Sequence, residues 1–110
     1  MNNSYNIIIT ETPSGYYNFI LKNDINTLLS SENYTSRRGC NNGAISLKVN
    51  GKRASNYTSL NHSNKFIFVI KAGNGEILAR SKKFDNEEIL KKTISNVILI
   101  FENDIPIINK

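Results

Sequence analysis

The sequence predicts an α+β fold: two tandem β3-α-β units, about residues 5–52 and 53–110, forming one antiparallel sheet with two helices packed on one face. Three observations carry this. The stretch YNFILKNDINTLLSSENYTS, from Tyr17, matches FIFVIKAGNGEILARSKKFDN, from Phe66, at an offset of 49 residues that becomes 50 beyond a central turn. Within each copy the apolar residues first alternate by two, the period of a strand with one buried side. They then recur at spacings of three and four, the period of an amphipathic helix.

Taken in order, YNIIITE (Tyr5 to Glu11) is a strand candidate closed by the turn signal TPSG. Tyr17, Phe19 and Leu21 share one face of a second strand, and Thr27 to Ser31 continue as a third. The counterpart in the second copy is Phe66, Phe68 and Ile70, then Glu76 to Ser81. The turns between these runs are NDIN and AGNG; in the latter, Asn74-Gly75 supplies the positive backbone angles that tight hairpins use. A phosphate-binding loop would need those glycines to open a helix, and here they lead into the strand-like EILARS. Cys40, Ala44 and Leu47 line one helix face after a Ser36 cap; Leu90, Ile94, Val97 and Phe101 line another after Asp85 or Asn86. SNYTSL (Ser55 to Leu60), ending in NHSN, opens the second unit, and IPIIN closes it, with Pro106 suited to an edge.

These residues resemble the YegP-like family of small bacterial proteins of unknown function, which occur as tandem repeats or as dimers of single repeats. The resemblance rests on FVIKAGNGEILARS, on FILKNDINTLLSSENYTS and on GAISLKVN, and it spans about Tyr5 to Ile100. The chain departs from the family pattern at Asn23 to Asn26, which replace the glycine turn, and at Thr93, where the family usually has glycine. The tail NVILIF is also more apolar, which leaves open whether Val97 to Phe101 fill the core or meet a partner. The resemblance implies units that merge into one antiparallel sheet with swapped closing strands, and it supplies no catalytic residues.

With 110 residues and 39% hydrophobic content, the chain suits one domain with a single core. One cysteine excludes an internal disulfide, and one cysteine with one histidine, Cys40 and His62, cannot build a metal site. No cofactor motif is present. The three-residue isoleucine run at Ile7 to Ile9 is far short of a signal-peptide core, and no run approaches a membrane span. A cytoplasmic protein that does not engage membranes is expected.

No catalytic constellation emerges, so an enzyme is not expected. Cys40 lies on the buried helix face and His62 in a hairpin turn, which separates the only thiol from the only imidazole. Glu87 and Glu88 each precede a lysine by four residues, Lys91 and Lys92, as helix-stabilising pairs do. The net charge of +5 favours acidic partners. Arg37 and Arg38 open the first helix against its dipole, while Arg80 and Lys82 share a face at the end of a strand. These four are the candidate anion or nucleic-acid contacts, and Tyr16, Tyr34 and Tyr57 are candidate stacking surfaces. Tyr34 and Phe84, equivalent by repeat, read instead as plugs of the core. The favoured reading is a small non-enzymatic binding module with an unknown protein partner. The alternatives are nucleic-acid or nucleotide binding near Arg37-Arg38 and an accessory or inhibitor role in a mobile genetic element. Monomer and dimer are equally compatible with the sequence.

Overall fold

The computed structural model describes residues 4–110. Strands β1 (Asn6–Glu11), β2 (Tyr17–Lys22) and β3 (Thr27–Ser30) precede helix α1 (Arg37–Asn50). A 3-10 turn at Ala54–Asn56 then leads to β4 (Tyr57–His62), β5 (Lys65–Lys71), β6 (Ile77–Ser81), helix α2 (Glu87–Phe101) and β7 (Ile107–Asn109). All seven strands lie in one sheet ordered β4-β5-β6-β3-β2-β1-β7.

The class is α+β as expected, but the sheet is mixed rather than wholly antiparallel. β7 runs parallel to β1, pairing Ile7 with Ile107 and Ile9 with Asn109, whereas every other neighbouring pair is antiparallel. The direction follows from connectivity: α2 carries the chain back across the sheet, so the strand after it enters from the end at which β1 begins. The closing strand also occurs once only. After α1 the chain turns directly into β4, and the closing strand of the second half lies against the first strand of the first half.

The halves meet where β3 pairs with β6, Leu29 opposite Ser81 and Ser30 opposite Arg80. Equivalent positions make equivalent bonds on either side of this seam. The Phe19 amide donates to Ser31 Oγ at 2.9 Å and the Phe68 amide to Ser81 Oγ at 3.0 Å. Tyr17 bridges Tyr34 as Phe66 bridges Phe84. Each third strand carries a bulge, with Leu28 of β3 opposite the Leu21–Lys22 step and Leu78 of β6 opposite the Ile70–Lys71 step.

Alternation sends Ile7, Ile9, Phe19, Leu21, Phe68 and Ile70 to one face, where they meet Cys40, Ala44 and Leu47 of α1 and Leu90, Val97 and Phe101 of α2. The helices begin as their caps dictate: Ser36 Oγ accepts from the Gly39 amide and Asn86 Oδ1 from the Ile89 amide. Tyr34 stacks on Phe19 and Phe84 on Phe68, as core plugs should. The α2 tail is divided: Val97 and Phe101 are buried, while Leu99 is exposed.

The turns depart from the reading of Asn74-Gly75. Only Gly75 has a positive φ, 89°, in a turn closed by the Gly75 amide on the Ala72 carbonyl, and the TPSG turn repeats this geometry at Gly15. NDIN reverses without glycine because Asn23 Oδ1 accepts from the Ile25 and Asn26 amides. The two-residue turn with both φ positive is Ser63-Asn64, at 51° and 64°, and His62 belongs to β4 rather than to the turn. Left-handed backbone disfavours a serine. Installing Asn-Gly, as S63N with N64G, is therefore expected to raise stability by about 1 kcal/mol in urea unfolding with unchanged slope.

Candidate functional site

The four basic candidates are distributed over two faces. Arg37 lies 5.0 Å over the Tyr17 ring on the helix side. Its guanidinium donates to Asn109 Oδ1 at 3.3 Å and to the Lys110 carbonyl at 3.1 Å. The first turn of α1 contains no acid, and this arginine instead ties the start of α1 to Asn109 of β7 and to Lys110 after it. Arg38 beside it is exposed and has no ion pair among the described residues.

Lys82 lies 5.7 Å over the Phe84 ring, in the other half of the molecule. Arg80 points to the helix-free face, where its Nη2 meets Glu32 Oε2 at 2.6 Å and its Nε is buried without a partner. Arg37, Arg80 and Lys82 each therefore have their own neighbour, and they do not converge on one spot. The expected pairs Glu87 with Lys91 and Glu88 with Lys92 are not formed. The ion pairs of the described residues are Lys48 with Asp104, Lys65 with Asp85 and Arg80 with Glu32.

The tyrosines are largely committed as well. Tyr57 Oη donates to the Gly51 carbonyl at 2.7 Å, Tyr34 stacks on Phe19, and Tyr16 is exposed. Cys40 is fully buried under the sheet, and His62 is exposed on the outer strand, facing the side without helices. Burial pushes the Cys40 thiol up to about 11, with a smaller opposing pull from Arg37. A protonated, buried thiol is a poor nucleophile. Iodoacetamide at pH 8 is expected to leave Cys40 unmodified in the native protein and to alkylate it fully in denaturant, as mass spectrometry would read. Because the folded value is raised, the stability linked to this group is complete below its ordinary 9.0 and is lost as pH rises through about 11.

An open cleft of about 730 Å³ lies between the start of β1 and the end of α2, lined by Tyr5, Asn96, Leu99, Asn103 and Asp104 among others. Its one carboxylate, Asp104, already pairs with Lys48 at 3.1 Å. Among the described residues no group of His, Cys, Asp or Glu could hold a metal ion, and no helix is long and apolar enough to cross a membrane.

What the sequence did not announce is the other face of the sheet. Registers join Thr58, Val69, Arg80, Ser30, Ile20, Ile8 and Ile108 into one row crossing all seven strands, all pointing away from the helices. Val69 is only 1% exposed yet outside the helix-side core, whereas Ile108 is 37% and the neighbouring Leu60 44% exposed. Ile67 pairs with Leu60 in the next row. Alternation places Lys22 and Lys71 on this face too. The signal was present in NIII, FIL and FVI, runs apolar at both parities, which is the mark of strands with two apolar sides.

The geometry defines a two-layer α+β domain, helices on one side of a seven-stranded mixed sheet and a partly apolar, basic-fringed surface on the other. Sequence comparison narrows the class. The chain belongs to the UPF0339 (YegP) family: it is 33% identical over 95 residues to the UPF0339 protein of Photorhabdus laumondii, covering 86% of this chain and 82% of that one. It is 34% identical over 86 residues to the UPF0339 protein of the ptx operon 5′ region in Stutzerimonas stutzeri, covering 76% and 78%. No family model matches the chain. Two solution NMR structures share the fold. The UPF0339 protein of Shewanella oneidensis has a TM-score of 0.86 at 24% identity, with 96% of this chain and 91% of that chain covered. Escherichia coli YegP, described as a protein of unknown function, has 0.87 at 23%, with 100% and 96% covered.

Proposed function

We propose that this chain is a non-enzymatic binding module that holds an acidic protein partner against the helix-free face of its sheet. The observation that carries the reading is the apolar end of the row, Ile20, Ile8 and Ile108 on adjacent strands, with Lys22 beside Ile20 on β2 and Lys71 further along the same face. Apolar side chains supply contact area, and the cations select a partner with carboxylates around its own apolar centre. A single cysteine, which cannot form an internal disulfide, suits a reducing compartment, so the partner is sought in the cytoplasm. A nucleic-acid surface has less support, because Arg37 is engaged by Asn109 and Lys110 and Arg80 by Glu32.

The test is affinity purification from the host with the wild type and with Ile8→Lys/Ile20→Lys as baits, identifying protein and nucleic acid in both eluates. A stoichiometric acidic protein, lost from the variant and rebinding the purified wild type, is the expected result. Retention by the variant, or recovery of nucleic acid alone, would overturn the proposal. Arg37→Ala serves as a control for the contact of Arg37 with Asn109 and Lys110. It is expected to speed hydrogen exchange at Lys110, whose amide bonds to the Ile9 carbonyl at 2.9 Å, while leaving partner affinity within about twofold.

A further inference from the structure

The two edges of the sheet are built differently. β7 is three residues long and follows Pro106, which has no amide to offer. β4 is six residues long, contains no proline, lysine or bulge, and pairs on one side only. A strand of this kind is a template for another strand.

The hairpin determines which of its main-chain groups are free. A two-residue turn with both φ positive closes on a hydrogen-bonded pair, here His62 with Lys65, and the pairing alternates from there. Leu60 and Thr58 therefore direct their amides and carbonyls at Ile67 and Val69. Ser59 and Asn61 direct theirs outward, and the outward amide of Tyr57 is already bonded to the Ala54 carbonyl.

We infer that β4 is the contact surface for a second copy of this chain, pairing antiparallel about a two-fold axis at Leu60. In that register Ser59 of each copy faces Asn61 of the other, and four hydrogen bonds employ all the free donors and acceptors of both residues. Centring on Ser59 instead would call on the Tyr57 amide that Ala54 holds. Leu60 would face its own counterpart at a non-hydrogen-bonded site, where side chains approach most closely. β4 carries no lysine, arginine, aspartate or glutamate, so two basic chains can meet here without repulsion along the strand. The apolar surface of Leu60 and Ile67 would continue across the axis. One strand edge buries little area, so association is weak and reversible, in roughly the micromolar to millimolar range.

Leu60→Cys tests the register. Counterparts at a non-hydrogen-bonded site lie about 4.5 Å apart at Cα, within disulfide range, so mild oxidation is expected to give a disulfide-linked dimer on a non-reducing gel. Thr58→Cys, which would face His62 of the other copy, is expected to stay monomeric; Cys40 is buried and takes no part. Ser59→Pro removes an outward amide and leaves the β4–β5 ladder intact, so it is expected to abolish dimers in sedimentation equilibrium while the circular dichroism is unchanged. A wild type that stays monomeric up to about 1 mM would overturn the inference and leave the edge to a strand from another protein. Equal cross-linking at positions 58 and 60, or a dimer that survives Ser59→Pro, would overturn it too.

Discussion

Gly43→Val is expected to destabilise the domain by about 3 kcal/mol, seen as a lower urea midpoint at unchanged slope. A Cβ at position 43 would lie 2.6 Å from Tyr34 Cζ and 3.2 Å from Cε1, and would overlap the phenol oxygen. The ring has little freedom to withdraw. Its backbone is bridged to Tyr17 in both directions, at 2.7 and 2.8 Å, and its face stacks on Phe19 with centroids 6.2 Å apart. The better intrinsic helix propensity of valine over glycine, worth a few tenths of a kcal/mol, offsets only a small part of that. The second half has changed both partners: Phe84 stands for Tyr34, without the hydroxyl, and Thr93 stands for Gly43. A double-mutant cycle separates causes. In a Tyr34→Leu background the cost of Gly43→Val should fall below about 1 kcal/mol; an undiminished cost would place the strain in the helix itself.

The pattern of strands and helices was legible because it depends on periods that any stretch of sequence displays. Alternation at Tyr17, Phe19 and Leu21 and the helical spacing of Leu90, Ile94 and Val97 need no knowledge of the rest of the chain. The direction of β7 was not legible: three residues have no usable period, and its neighbour is decided by where α2 ends. Asn74-Gly75 misled because the same dipeptide serves two turn types, and which one forms depends on the loop length between paired residues. Arg37 could be recognised as an anomaly at a helix start. Its explanation lay with Asn109, 72 positions away. The helix-free row is the furthest case, since each of its seven members comes from a different strand and only the register assembles them.

Phe68→Ala is expected to cost about 3–5 kcal/mol, a large part of the roughly 5–15 kcal/mol available to a small domain. Phe68 is fully buried, with the Tyr57 ring 5.6 Å and the Phe84 ring 6.4 Å away between centroids. Truncation would leave a cavity bounded by two rings that cannot both close on it: Tyr57 is held by its bond to Gly51, and Phe84 by its bridge to Phe66. The same variant reports whether the halves unfold together. The β3–β6 seam is short, with two paired positions, and alone would be a weak link. Helix α1, however, packs on β1 and β2 of its own half and also on β5 and β6 of the other, so removing support from β5 also removes it from under α1. Phe68→Ala and its counterpart Phe19→Ala should therefore each shift one cooperative transition, with far-ultraviolet dichroism and tyrosine fluorescence superimposing. Two separated transitions, with the first half surviving Phe68→Ala, would show that α1 does not couple the halves.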